Sequence, residues 1–260
     1  MAFAEFAADV VLTLGGKDPS PRTAAIIVAA GSSTRMGAKV SKQFLELSGI
    51  PVLAHTLRAF EGSRYIDEIV VVSRAEDIDA VRQLAKTHKI PQLTAVVRGG
   101  DTRAASVRRG FRKIHPKTRF VAIHDGARCL ITPQQIAKVC RMAYRHRAAT
   151  AACPVSDTVK MANQRGFIAT TIDRDKVFLA QTPQIFHADL YRAALAHVQD
   201  DRITDDNQLM ERIKHPVKLV DCGKENIKIT TPDDIEMAEF ILSKREVRKC
   251  GSVTVMTSTA

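Results

Sequence analysis

Ala24-Ala25-Ile26-Ile27-Val28-Ala29-Ala30-Gly31-Ser32-Ser33-Thr34-Arg35-Met36-Gly37, followed by Ser41-Lys42-Gln43-Phe44, decides how the rest of the chain is read. A run of small and β-branched apolar residues that stops at Gly31 has the pattern of a buried parallel strand. The loop after it is small, polar and bracketed by glycine, so its backbone N–H groups can face an anion. The spacing is neither G-x-G-x-x-G nor G-x-x-x-x-G-K-[ST], which sets aside the dinucleotide fingerprint and the Walker loop. Arg35 and Lys42 instead bring two fixed cations to the loop, as a polyphosphate ligand requires. An ordinary strand-to-helix turn with two solvated bases is the competing reading.

The rest of the chain continues the alternation. Strand-like runs at 24–30, 68–73, 93–97 and 120–123 are separated by helix-like segments at 52–61, 76–89, 102–114 and 133–147. This predicts an α/β fold with a doubly wound sheet. Between 150 and 186 the rhythm changes to short β-rich pieces at 150–155, 158–161 and 167–171, with turn chemistry at Asn163-Gln164-Arg165-Gly166, the pattern of a projecting hairpin. Helices are expected at 188–198 and 206–214, strands at 217–220 and 227–230, and a last helix from Pro232 to about Ser243 with Thr231 as its cap. The domain is read as 21–243, with an arm at about 150–186, a tail without fixed structure at 1–20 and a basic tail at 244–260.

The 260 residues are 45% hydrophobic, enough for a full core, and no stretch approaches the roughly twenty apolar residues of a membrane span. Residues 1–19 carry Glu5 and Asp9 and no early basic cluster, which makes a poor signal peptide. Five cysteines without a C-x-x-C pair fit free thiols in a reducing cytoplasm and disfavour metal ligation by cysteine. The net charge of +11 suits an anionic partner of any kind. With 5% aromatics, and none interleaved among the bases, the stacking surface of single-strand and RNA binders is missing, so neither nucleic acid nor membrane is expected as a partner.

Ligands of open α/β sheets sit at the carboxyl ends of the strands. The third strand-like run ends in Arg98-Gly99-Gly100-Asp101-Thr102-Arg103-Ala104-Ala105-Ser106, where paired glycines permit close backbone approach and Asp101 and Ser106 can meet the edge of a base; a capped helix start is the plainer alternative. The fourth ends in His124-Asp125-Gly126-Ala127-Arg128, a carboxylate and a guanidinium beside the same crevice or an internal ion pair.

Together with Asp157-Thr158-Val159-Lys160, Thr171-Ile172-Asp173-Arg174, Gln181-Thr182-Pro183-Gln184, Thr204-Asp205 and Asn226-Ile227-Lys228-Ile229-Thr230, these ordered motifs closely resemble the 2-C-methyl-D-erythritol 4-phosphate cytidylyltransferases of the non-mevalonate isoprenoid pathway, over about residues 22–242. The resemblance implies a Rossmann-like nucleotidyltransferase sheet with a β-hairpin dimerisation arm. It also implies transfer of a cytidylyl group from CTP to a polyol phosphate, with Mg²⁺ carried mainly by the CTP phosphates and no dedicated metal residues. By the same resemblance, Arg35 and Lys42 stabilise the transition state, Gly31 and Ser32 hold phosphates, and Ala29, Ala30, Gly100, Asp101 and Ser106 read cytosine. Asp125, Arg128 and Thr182 hold the polyol phosphate and Lys228, on a strand, orients it. Thr158 and Arg174 complete the site of a partner subunit in a homodimer.

Where the family usually has Ala and Pro, this chain has Gly126 and Cys129, which predicts a looser loop after the fourth strand and leaves open a Cys129 thiol of lowered pKa beside the basic site. Ribitol phosphate cytidylyltransferases share the fold and loop but commonly have glycine at the second alanine of Ala29-Ala30-Gly31. A regulatory module that binds nucleotide without turnover has no need of cations placed for a transition state.

Overall fold

The structure is a computed structural model and describes residues 20–31, 41–197, 203 and 205–254, with side chains described up to 248. Its centre is a seven-stranded sheet in the order β11-β7-β10-β6-β1-β4-β5. Four strands, β1 (Thr23–Val28), β4 (Glu68–Ser73), β5 (Leu93–Arg98) and β6 (Phe120–Asp125), are mutually parallel. Of these, β1, β4 and β6 read as apolar runs because both faces are covered: Ile26, Ile27, Val70, Val71, Val121 and Ile123 have no exposed surface, whereas β5, at the sheet edge, is only partly buried. On one face pack α1 (Val52–Glu61), α2 (Ile78–Thr87) and α4 (Pro133–His146), through Leu53, Leu57, Val81, Ile136 and Val139. On the other pack α3 (Arg103–Phe111), α5 (Ala188–His197) and α6 (Asn207–Arg212), through Val107, Tyr191, Leu209 and Met210. A short hairpin, β2 (Glu46–Leu47) and β3 (Ile50–Pro51), leads into α1.

The β-rich stretch after α4 divides differently from the expectation. β7 (Ala148–Pro154) and β10 (Phe178–His187) belong to the central sheet, β10 running antiparallel between β6 and β7. Ala149, Ala151 and Ile185 are wholly buried there, so these strands are core. Within this stretch only β8 (Val159–Ala162) and β9 (Ile168–Ile172) form a separate two-stranded sheet, a hairpin shorter than the expected arm. Its turn agrees with the sequence: Gly166 has φ +81, Gly166 N–H donates to Asn163 O at 3.0 Å, and Asn163 Oδ1 accepts from Arg165 N and Phe167 N. β10 escaped the sequence reading because Pro183 breaks the strand pattern, and the register of β10 on β7 does shift between Ala180 and Gln184.

Two other expectations change. β11 (Lys218–Asp221) lies parallel to β7 at the sheet edge, but residues 227–230 are not a strand; they form an extended loop whose Ile229 N–H donates to Ala127 O at 2.8 Å. The last helix, α7 (Asp233–Thr254), runs well past Ser243 into the expected tail. Thr231 does not cap it as an acceptor. Asp234 in the first turn takes the N–H and hydroxyl groups of both Thr230 and Thr231 at 2.7–3.0 Å, a carboxylate favoured at a helix N-terminus. The Arg245 side chain anchors α7 by donating to Glu225 Oε2 at 2.9 Å and Leu130 O at 2.8 Å.

Candidate active site

The carboxyl ends of β1, β4, β5 and β6 lie on one side of the sheet, and the loops that leave them touch. Val28 and Asp125 are register partners on β1 and β6, so the residues after each strand emerge side by side. Ala29 N–H donates to Val72 O at 2.7 Å and Gly99 N–H to Ser73 O at 2.8 Å. A Cβ on Gly99 would stand 2.4 Å from Ala30 Cβ, so only glycine lets these two loops close on each other. Gly100 N–H donates to Ser106 Oγ at 3.0 Å, and Ser106 is almost wholly buried. Its hydroxyl therefore holds the Gly99-Gly100 turn in shape. Asp101 beside it is exposed, as is Gly31; Ser32 and Arg35 lie outside the described residues. Thr102 caps α3, its side chain accepting from Ala105 N at 3.0 Å, so the capped helix start and the candidate base-reading loop are one feature.

At the end of β6, Asp125 is the focus of three cations. Lys228 Nζ is 2.8 Å from Oδ2, Arg103 Nε is 3.5 Å from Oδ1, and Arg128 Nε is 3.9 Å from Oδ2. Burial alone would push this carboxyl up, but Lys228, Arg103 and Arg128 outweigh it and hold the pKa down at about 2. Arg103 also pairs with Asp206 at 2.5 Å, and Asp206 accepts from Tyr191 OH at 2.6 Å. Arg128 Nη1 donates to Asn226 O at 2.9 Å, while its buried Nε finds no hydrogen-bond partner. Lys42, on a 3-10 turn at Lys42–Phe44, donates to Ile229 O at 3.1 Å, next to Lys228. The loop that carries Lys228 is held by the wholly buried Asn226, whose Nδ2 donates to Gln181 Oε1 and Thr182 O, both at 2.9 Å.

The loop after β6 is not loose. Gly126 N–H donates to Val28 O at 2.9 Å, Thr56 Oγ1 donates to Gly126 O at 2.9 Å, and a Cβ at Gly126 would meet Gln43 Oε1 and Val28 O at 3.2 Å. Tight packing, with glycine as the filler, replaces the expected slack. Cys129 is buried, which pushes its thiol up to about 12; the lowered pKa left open by the sequence is overturned, and the thiol is inert at neutral pH.

Thr158 and Arg174 are exposed on the hairpin; Arg174 Nη1 donates to Ser156 O at 2.9 Å across its base, and neither residue pairs with the Asp125 cluster. The residues that sequence reasoning passed over without a role are His124, Arg103 and Asn226. All three lie inside the quoted motifs, but only their buried partners reveal what they do.

His124 is wholly buried, and burial lowers its pKa to about 4. In the unfolded chain the imidazole takes its proton near pH 6.5, before the folded protein does, so the stability held by neutral His124 is intact above about 6.5. It is lost as pH falls toward 4, by about 3 kcal/mol in all. Urea unfolding at pH 7, 5.5 and 4.5 checks this: wild type is expected to lose stability more steeply than His124→Phe, and parallel curves would contradict it.

A broad concavity of about 680 Å³ lies elsewhere, between the end of α3 and α5, walled by Arg108, Phe111, Arg112, His115, Arg192 and Leu195. Arg112, His115 and Arg192 are not shielded from solvent as a group, whereas the charges around Asp125 converge on one shielded carboxylate. The latter is where ligand chemistry is placed. Among the described residues no group of three or more His, Cys, Asp or Glu side chains is arranged to hold a metal ion, and no helix is long and apolar enough to cross a membrane.

A parallel-rich α/β sheet, a glycine-bearing wall where the loops after β1 and β5 meet, and a cationic cluster at the end of β6 define a nucleotide-handling transferase of the doubly wound class. The chain belongs to the 2-C-methyl-D-erythritol 4-phosphate cytidylyltransferase (IspD) family, whose profile matches residues 23–244. The relative of that name from Pelotomaculum thermopropionicum is 40% identical over 230 residues, 87% of this chain and 97% of its own length. The one from Syntrophus aciditrophicus is 42% identical over 231 residues, 88% of this chain and 99% of its own. The crystal structure of 4-diphosphocytidyl-2C-methyl-D-erythritol synthase from Anaerococcus prevotii superposes with a TM-score of 0.76 at 30% identity, covering 86% of this chain and 97% of that one.

Proposed function

We propose that this protein transfers the cytidylyl group of CTP to the phosphate of 2-C-methyl-D-erythritol 4-phosphate. A substrate phosphate oxygen attacks the α-phosphorus of CTP, the bond to the β-phosphate oxygen breaks, and pyrophosphate leaves. The observation that carries this reading is the convergence of Lys228, Arg103 and Arg128 on Asp125, one strand away from the wall formed by Ala30 and Gly99. The nucleophile is already an anion, so the work is alignment and charge stabilisation, which lysines and arginines supply.

In this reading Ala29, Ala30, Gly100, Asp101 and Ser106 face the cytosine, and the Ser106 hydroxyl also accepts from Gly100 N–H. Gly31 and Ser32 cradle phosphates, and Arg35 and Lys42 meet the charge that grows on the α-phosphate. Asp125, Arg128 and Thr182 hold the polyol phosphate, the Arg128 guanidinium lying beside the Asp125 carboxylate. Lys228 exchanges Asp125 for the incoming phosphate.

The donor set suits a magnesium ion that arrives on the triphosphate, because Asp125 is already neutralised by its own cations; bound there, Mg²⁺ would screen the phosphate charge. Thr158 and Arg174 act across a homodimer, the hairpin of one subunit reaching the site of the other. Support for that arm is the exposure of Met161, Phe167 and Ile168 on it. Cys129, Cys140, Cys153 and Cys222, buried and unpaired among the described residues, suit a reducing cytoplasm.

Incubation with CTP, Mg²⁺ and either 2-C-methyl-D-erythritol 4-phosphate or ribitol 5-phosphate, with pyrophosphate release as the readout, tests the reading; no release with 2-C-methyl-D-erythritol 4-phosphate, or release only with ribitol 5-phosphate, overturns it. CTP is expected to exceed UTP in kcat/KM by about tenfold to several hundredfold, the margin of one or two hydrogen bonds to the base edge. Equal use of UTP would remove the cytosine assignment.

A further inference from the structure

The polar groups behind Asp125 form a chain whose direction can be worked out from one end. His124 Nε2 is 3.1 Å from Arg128 O, a carbonyl that can only accept, so Nε2 carries the hydrogen. Nδ1 then offers a lone pair, and Thr182 Oγ1, 3.0 Å away, must donate its hydrogen to it. The same oxygen accepts from Asp125 N–H at 3.1 Å. One carbonyl therefore orders the whole path: Asp125 N–H to Thr182 Oγ1, Thr182 O–H to His124 Nδ1, His124 Nε2–H to Arg128 O. Both ends of the Asp125-to-Arg128 turn are tied to one imidazole, which is sealed in place against the Phe60 ring of α1 at 4.9 Å between centroids. The charged groups nearest His124 are Asp125 and Arg128 themselves.

We propose that His124 is a positioning residue for the phosphate acceptor: with Thr182 it acts as a single relay that sets the spacing of the Asp125 carboxylate and the Arg128 guanidinium. Thr182, its only hydrogen committed, meets a polyol hydroxyl as an acceptor. This rests on the reading of the Asp125 cluster as the polyol phosphate site. The CTP wall of Ala30 and Gly99 is held by other bonds and stands outside the relay.

The test is the set His124→Phe, His124→Gln, Thr182→Val and the double variant His124→Phe with Thr182→Val. The phenyl ring keeps the packing on Phe60 and removes both hydrogen bonds; the glutamine amide can still donate to Arg128 O. Each of His124→Phe and Thr182→Val is expected to raise KM for 2-C-methyl-D-erythritol 4-phosphate by about tenfold to a hundredfold, the effect of a misplaced clamp. KM for CTP should move less than about twofold. The double variant is expected to match the worse single one, because one relay breaks only once. His124→Gln recovers most of the loss.

Multiplying effects, or KM values for both substrates rising together, overturn the proposal. Should His124→Phe not fold, Thr182→Ser against Thr182→Val carries the KM comparison. The ¹⁵N spectrum of histidine-labelled wild type reads the tautomer directly: hydrogen on Nε2 is expected, and hydrogen on Nδ1 overturns the relay. If wild type releases no pyrophosphate with any polyol phosphate, the proposed function falls while the tautomer still decides the relay.

Discussion

Lys42→Ala is expected to lower kcat by about 10²–10³ while leaving KM for CTP within a few fold, because in the proposed reading its charge meets the α-phosphate as it becomes more crowded and more negative. The amine stands on the 3-10 turn after the phosphate loop and reaches Ile229 O at 3.1 Å, beside Lys228. In the proposed reading that contact lies between the phosphate loop and the polyol phosphate group held by Lys228. Its loss removes the hydrogen bond to Ile229 O, about 1–3 kcal/mol, which a domain of this size can bear. The fold should therefore persist, and a thermal melt lowered by no more than about ten degrees is the control. Steady-state kinetics against both substrates decide the matter. An unchanged kcat with a raised KM would make Lys42 a ground-state binding group.

The second large effect is a recovery. Arg174→Ala and Lys42→Ala are each expected to be nearly inactive as pure proteins, yet an equal mixture with full subunit exchange should regain about one quarter of wild-type activity. About half the dimers are then mixed, and each mixed dimer has one site with both lesions and one with neither. The expectation rests on the surroundings of Arg174: it is exposed beside the hairpin, donates to Ser156 O, and is not among the cations that pair with Asp125 in its own chain. Exchange is verified by mass spectrometry of differently tagged chains. Activity that stays near zero despite exchange would mean that both residues serve one chain's site, and the shared-site dimer would be abandoned.

The candidate site was legible from the motifs to the extent that its members are strand-end residues. Asp125 and Arg128 lie at the end of β6, Ala29 and Ala30 come after β1, and Gly99 and Gly100 after β5, so knowing that the sheet is parallel already gathers them. Lys228 was legible as a member but not as a geometry: four residues of β-branched pattern look like a strand, whereas the buried Asn226 and a single bond from Ile229 N–H to Ala127 O hold them as a loop. Ser106 was taken as a base reader because its hydroxyl is the right chemistry in the right motif. The structure adds that the same hydroxyl accepts from Gly100 N–H at 3.0 Å, a bond no motif reveals. Cys129 shows a limit of another kind, since a thiol beside cations in sequence has its pKa raised by burial in space.

What the sequence determined alone is whatever depends on near neighbours. Continuous apolar runs specify β1, β4 and β6, the Asn163 to Gly166 turn specifies its own φ +81 glycine, Thr102 specifies the start of α3, and the ordered motifs specify the family. The tertiary structure alone decided that β7 and β10 belong to the central sheet, leaving β8 and β9 as a hairpin shorter than the expected arm. It also decided that Arg103 joins Asp206 across 103 residues of chain and that Lys228 rests on Asp125. The reason is physical: a turn or cap is settled by a few dihedrals and one hydrogen bond, whereas distant pairings are chosen by which buried polar groups can all be satisfied at once when the chain closes on itself.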